Sequence, residues 1–193
     1  GSEMCIRDRF SKDGGGVLRS VPLIEVHSST LQRCQQTARP IAEANIARPN
    51  VVSSDLLKET ALGVLEGELV GRQSTDELTR HYQDFSRDEI HYRVPDGENL
   101  HDVAARVQRF FVDQDELLKG SGIHLLVGHR NVNKMILKCL LGLSFENGYR
   151  VEHEHQRLYL YFAASKELWS YCVDDSDTRF TRGYVTTTDG VVA

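Results

Sequence analysis

Leu125-Leu126-Val127-Gly128-His129-Arg130-Asn131-Val132 is the stretch whose reading decides the fold. An apolar run breaks at a glycine and presents a histidine. The chain then opens into a segment whose apolar residues Val132, Met135, Ile136, Cys139 and Leu140 recur at helical spacing until Gly142. The pattern predicts a buried strand, a turn and an amphipathic helix. In an open α/β sheet, ligands bind in the crevice beyond the carboxyl ends of the strands, and the N–H groups that open a helix attract an anion. A phosphate site around His129 is the first expectation.

Working outward, the same alternation of strand and helix recurs. Residues 21–27 predict a strand, and Ser28-Ser29-Thr30 supplies an N-cap for a helix to about Asn45, which Pro40 bends or divides. Val51-Val52 continues as a second strand. Residues 56–72 hold three glycines and no stable period, which predicts an ordered loop. Ser74 with Glu77 reads as a capping box for a helix to about Phe85. After a Pro95-Asp96-Gly97 turn, Asn99 caps a helix carrying Leu100, Val103, Ala104, Val107, Phe110 and Phe111, which runs to Leu118 and stops at Gly120. Residues 158–162 and 168–173 predict two more strands, paired as a hairpin or as sheet neighbours.

The expected fold is therefore α/β, a three-layer sandwich with a mostly parallel central sheet and helices on both faces. One domain is expected over residues 21–175, between an atypical tail at 1–20 and a polar tail at 176–193. The segment ending in Gly14-Gly15-Gly16 shows neither apolar period, and Gly1-Ser2 has the form of a tag scar.

A formal charge of −5 on 193 residues, without a lysine or arginine run, argues against nucleic acid and anionic membrane surfaces as partners. Four scattered cysteines, Cys5, Cys34, Cys139 and Cys172, read as reduced thiols, and no signal peptide or apolar span is visible. The expected location is cytoplasmic. Neither a G-x-G-x-x-G nor a G-x-x-x-x-G-K-[ST] pattern occurs.

Four ordered blocks carry a resemblance. Ser28-Ser29-Thr30-Leu31-Gln32-Arg33-Cys34-Gln35-Gln36-Thr37-Ala38 resembles S-S-x-L-x-R-x-x-Q-T-A, and Leu57-Lys58-Glu59 with Gly63-Val64-Leu65-Glu66-Gly67 resembles L-x-E-x-x-x-G-x-x-E-G. Pro95-Asp96-Gly97-Glu98-Asn99 resembles P-x-G-E-S, and Gly128-His129-Arg130-Asn131 is similar to a second-histidine turn. Together these resemble the histidine phosphatase superfamily, the phosphoglycerate-mutase-like proteins, across residues 20–175. The resemblance implies phosphoryl transfer without metal or other cofactor, on a small phosphorylated substrate, through a phosphohistidine that water hydrolyses. A homo-oligomer is compatible with it.

On that resemblance, Arg33 holds two phosphate oxygens with its planar fork, and Glu59 is the general acid that protonates the leaving oxygen. Glu66 competes for the acid role but more naturally ties its loop together, and Glu98 reads as structural. His129 donates to a phosphoryl oxygen, helped by the backbone N–H groups of Arg130 and Asn131. Arg130 either adds a second cation to the phosphate site or points to solvent. His153 and His155 have the look of metal ligands, but they alternate ahead of a strand with no third ligand nearby, and no metal site is expected there.

One departure stands at the front. The family's Arg-His-Gly turn, whose histidine is the nucleophile, has no counterpart before Ser28. The first strand is expected to be missing or replaced, truncation being favoured over evolved loss because a central strand is costly to lose. His27 is a poor substitute, since a shift of one strand spacing, about 4.8 Å, destroys in-line attack. Three functions follow: a phosphomonoesterase, favoured, whose activity in this chain is in doubt; a phosphate-ester-binding pseudoenzyme; and a mutase. The short span between Gly67 and Pro95 disfavours the mutase, which needs a lid over its intermediate. Arg72, Arg80, His81, Arg87, His91 and Arg93 make that span basic, as acidic-substrate contacts or as a solvated face.

Overall fold

The computed structural model describes residues 15–67, 75–153, 157–172, 179–187 and 190–192. Three parallel strands form the centre, β1 (Leu23–Ser29), β2 (Asn50–Ser54) and β3 (Ile123–Val127), in the order β2-β1-β3. Parallel neighbours need crossovers, and helices supply them. A single turn, α1 (Gly15–Leu18), precedes β1, and α2 (Gln32–Ala44) joins β1 to β2. Next come α3 (Asp76–Arg87), α4 (Leu100–Asp113) and a short α5 (Glu116–Lys119) on the way to β3. Beyond β3 lie α6 (Arg130–Leu141) and α7 (Phe145–Arg150).

The two faces of β1 bury different things. Val26 and Leu23 pack with Ala38, Ile41 and Ala42 of α2, joined by Leu18 and Leu125. Opposite them, α4 and α6 pack together through Val103, Val107, Phe110, Val132, Met135 and Ile136. Helices thus flank a parallel sheet, as the sequence predicts. Each fully buried aliphatic side chain contributes about 1.5–3 kcal/mol by leaving water.

A second, antiparallel sheet follows: β4 (Arg157–Phe162) pairs with β5 (Glu167–Cys172), the predicted hairpin, and β5 pairs with β6 (Thr181–Arg182). β7 (Tyr184–Thr186) pairs with β8 (Gly190–Val192). Leu158 of β4 packs against the α2-side core, while Tyr159, Tyr161 and Tyr184 pack on Leu137, Val151 and Leu168. The chain beyond residue 179 therefore contributes strands as well as polar surface.

Several boundaries differ from expectation for identifiable reasons. Pro40 does not divide α2, since one helix runs continuously through it. The N-cap of α2 is Leu31, without a side-chain cap, while Ser29 Oγ accepts from Leu31 N at 3.2 Å. Thr75, not Ser74, caps α3, its hydroxyl accepting from Leu78 N; Ser74 lies outside the described residues. The helix predicted to reach Leu118 ends at Asp113, and Leu117 and Leu118 belong to α5. Asn99 caps α4 in a full capping box with Asp102, and Gly142 closes α6 at φ 65°.

Candidate functional site

The predicted site residues converge where β1 and β3 end. Ser29 is the last residue of β1, and His129 precedes the first turn of α6; Ser29 Oγ and His129 Nε2 lie 2.9 Å apart. Arg33, in the first turn of α2, donates from Nε to His129 Nδ1 at 3.1 Å. An arginine Nε–H can only donate, so Nδ1 is the bare nitrogen and the proton sits on Nε2, directed at the serine hydroxyl. His129 is neutral in this arrangement and buried, only 7% exposed. Adjacent N–H groups at the start of α6, those of Arg130, Asn131 and Val132, have no intrahelical acceptor and carry the positive end of the helix dipole. A guanidinium, an imidazole N–H and a helix N-terminus at one corner are groups that attract an anion.

Cys34 completes the cluster, its Sγ donating to Gly128 O at 3.1 Å and lying 3.4 Å from His129 Nε2. Burial pushes this thiol up to about 11, so it stays protonated and is no nucleophile. Gln35 anchors the corner from behind, donating to Ser29 O at 2.6 Å and to Ser53 Oγ at 3.0 Å.

Glu59 approaches from the loop between the 3-10 turns Asp55–Leu57 and Gly63–Leu65. Burial raises its pKa, and the Thr60 N–H at 2.9 Å and the charges of Arg33 and Arg106 only partly offset this. A carboxyl kept protonated further toward neutrality suits a general acid. Its loop is held by Arg106 of α4. That guanidinium grips Glu98 from Nε at 2.9 Å and Nη2 at 3.1 Å, and donates to Leu56 O at 2.7 Å and Glu59 O at 3.2 Å. Glu98 in turn accepts from Ala61 N at 3.0 Å, the structural part predicted for it. Glu66 accepts from Leu62 N at 2.8 Å and so ties the loop to itself.

The loop also interlocks with the Pro95-Asp96-Gly97 turn. Val64 N donates to Pro95 O at 3.0 Å and Glu98 N to Ala61 O at 2.8 Å. A Cβ on Gly63, which stands at φ +51°, would come 2.0 Å from Pro95 O, and one on Gly97 2.6 Å from Ala61 O. Only glycine permits so close an approach.

The sequence-predicted residues therefore fare differently. Arg33 and His129 touch, and Glu59 lies within the electrostatic reach of Arg33. The Asn131 amide binds Glu89 Oε2 at 3.3 Å and approaches Thr60 Oγ1 at 3.5 Å, which stitches α6 to the Glu59 loop. Arg130 is exposed, and its charge is felt at Lys134 and Tyr149. His27 is buried edge-on against Phe110 at 5.6 Å between centroids. Of the pair His153 and His155, the former lies beside Tyr159 and the latter lies outside the described residues. Sequence reasoning missed Arg106, Thr60 and the second duty of Ser29. A depression of about 420 Å³ lined by Arg39, Ala42, Glu43, Arg48, Pro49 and Val51 contains none of the predicted residues.

Comparison with known proteins assigns the class. Residues 12–167 match the family model of the histidine phosphatase superfamily (branch 1), and the chain belongs to that family. It is 32% identical over 130 residues to a 2,3-bisphosphoglycerate-dependent phosphoglycerate mutase of Bartonella bacilliformis, covering 62% of this chain and 59% of the relative. With phosphoglycerate mutase 2 of the same dependence from Gloeobacter violaceus it shares 31% over 147 residues, 73% of this chain and 65% of the relative. The aligned stretches span about 56–65% of the length of such curated relatives. Among solved structures, the alpha-ribazole phosphatase of Shigella flexneri superposes with a TM-score of 0.66 at 21% identity, over 95% of this chain and 83% of that one. A mycobacterial glucosyl-3-phosphoglycerate phosphatase gives 0.61 at 19%, over 92% and 82%. These two likenesses show the shared α/β fold.

Proposed function

We propose that this site serves phosphomonoester hydrolysis by a phosphohistidine route, with Arg33 and His129 holding the phosphoryl group and Glu59 acting as the acid. The observation that carries this reading is the Arg33–His129–Ser29 contact at the carboxyl ends of β1 and β3, with the burial-raised carboxyl of Glu59 beside it. In the reaction a second histidine, which the described residues do not place beside Arg33, attacks phosphorus through an imidazole nitrogen, the P–O bond to the leaving group breaks, and Glu59 gives that oxygen its proton. Water then attacks the phosphohistidine and releases inorganic phosphate. Arg33 and the α6 N–H groups meet the charge on the equatorial oxygens. Asn131 supports the site through its backbone N–H, and Arg130 supplies a peripheral positive charge. The substrate class is a small phosphorylated molecule, taken up in the cytoplasm without metal assistance.

A second reading, phosphate-ester binding without turnover, is favoured by one observation. The other described histidines are engaged elsewhere: His27 with Phe110, His81 with Tyr92, His91 with Asp88, His101 with Phe145, His124 with His27 and His153 with Tyr159. None of these contacts places a nucleophile beside Arg33.

The deciding experiment measures p-nitrophenyl phosphate hydrolysis without added metal, and vanadate binding in parallel, for this chain and for His129→Ala. Turnover lost in the variant supports hydrolysis. Vanadate binding that depends on His129, without turnover, supports the second reading, and absence of both overturns the site.

A further inference from the structure

Sequence order separates Glu25 and His27 from His124 by nearly a hundred residues, but the parallel pairing of β1 with β3 brings them together. Glu25 stands directly opposite His124, and His27 lies two residues along on the same face, opposite Leu126. Their ligand atoms all lie within 4.8 Å of one another. The imidazole of His27 is almost fully buried, its side chain 2% exposed, yet neither ring nitrogen has a hydrogen-bond partner. Nε2 lies 3.0 Å from Glu25 Oε2 without the alignment of a hydrogen bond, and His124 Nδ1 is likewise buried and unpartnered. Buried polar nitrogens are ordinarily satisfied, and leaving several together without donors or acceptors costs stability.

We propose that Glu25, His27 and His124 form a binding site for a divalent first-row transition ion, zinc foremost, separate from the phosphate corner. Two imidazoles and a carboxylate are the ligand set such ions take, with coordination left over for water. Glu25 is 31% exposed and gives the ion a way in, while Phe110 walls the inner side of His27. Tetrahedral ligands at zinc's bond lengths sit about 3.3–3.5 Å apart, so side-chain rotations without strand movement close the cluster. Glu25 and His27 lie four and two residues before Ser29 on β1, about 13 and about 7 Å along an extended strand, so the ion sits on the amino side of the corner that Arg33 and His129 form. Bound there, the ion pins β1 to β3 across the sheet.

The test titrates the chelator-treated chain with Zn²⁺ by calorimetry and with Co²⁺ by visible absorption. One equivalent is expected to bind, with ligand-field bands for Co²⁺ and a Tm that rises with metal concentration. His124→Ala, the half-buried ligand and so the milder change to the fold, is expected to weaken binding by more than the 10–100-fold that losing a supporting hydrogen bond costs, that is, by more than about 100-fold. Glu25→Gln is expected to weaken it as well, and Cys34→Ser, which removes the thiol beside His129, to leave it unchanged. Binding that survives His124→Ala and Glu25→Gln, binding abolished by Cys34→Ser, or no saturable binding in the folded parent would each overturn the proposal.

Discussion

Arg33 is the side chain on which the proposed phosphate corner turns, because it brings a positive charge to His129 and also sets that histidine's tautomer. Arg33→Ala is expected to weaken vanadate or phosphate binding by about 1.5–3 kcal/mol, the value of a charge-assisted hydrogen bond, as read by calorimetry. Lysine is expected to restore little of it, since the planar fork is lost. Glu59 is testable twice. If it is the acid, Glu59→Gln cuts kcat on alkyl phosphates far more than on p-nitrophenyl phosphate, whose leaving group needs no proton. Its stability signature is independent of turnover. A carboxyl whose folded pKa is raised binds protons more tightly in the native state, so its burial costs nothing well below the ordinary value of 4.5 and costs stability as pH rises above that value. Glu59→Gln should therefore raise Tm at neutral pH and leave it unchanged in acid. The meeting of Arg33 and His129 was legible because neighbours announced both: Ser28-Ser29 before Arg33, and Val127-Gly128 before His129. Arg106 was not, because two of its acceptors are backbone carbonyls of Leu56 and Glu59, which no side-chain pattern reveals.

Among the elements, α4 and α6 carry the most informative polar burial. Arg106 spans α4, Glu98 and the Glu59 loop, and its removal leaves Glu98 with only the Ala61 N–H and strips the Leu56 and Glu59 carbonyls of its guanidinium. Arg106→Ala is expected to cost about 3 kcal/mol in urea melts and to weaken phosphate binding through displacement of Glu59. Lys134 of α6 is the other case: 2% exposed, it donates to Tyr149 O at 2.6 Å and stands over the Tyr149 ring. Burial pulls its pKa from 10.5 down to about 8. A cation held below its unfolded pKa costs stability at every pH below about 8, and the cost fades as pH climbs to 10.5. Lys134→Met is accordingly expected to raise Tm at pH 7 by more than at pH 10. The period of α4 and α6 was readable from Val103, Val107, Val132 and Met135, but the break after Asp113 was not, because Leu117 and Leu118 continue the apolar spacing across it. Thr75 displaced Ser74 as a cap for a similar reason: adjacent hydroxyl residues offer equivalent signals, and geometry chooses between them.

On the scale of the whole molecule, β1 is the only strand of the parallel sheet with a neighbour on both sides among those described. Hydrogen exchange should consequently find the amides of Val26 and Ser28 among the slowest, with alternate amides of β3 exchanging faster. The order β2-β1-β3 could not be read from the chain, since short strands of similar composition do not state their partners; Glu25, His27 and His124 gave no sign of one another for that reason. The thiol beside the proposed phosphate corner makes the opening of that corner measurable. Cys34 is sealed between α2 and Gly128 as a thiol held near 11, while Cys139 and Cys172 are only partly covered. Iodoacetamide at mildly alkaline pH can modify Cys34 only during openings that separate α2 from the β3 terminus, so its alkylation is a clock for those excursions. An anion that settles on Arg33 and His129 must slow the clock by the factor one plus its concentration over Kd. The inert sulfur thereby becomes a reporter of occupancy for any phosphate ester, whether or not that ester is turned over.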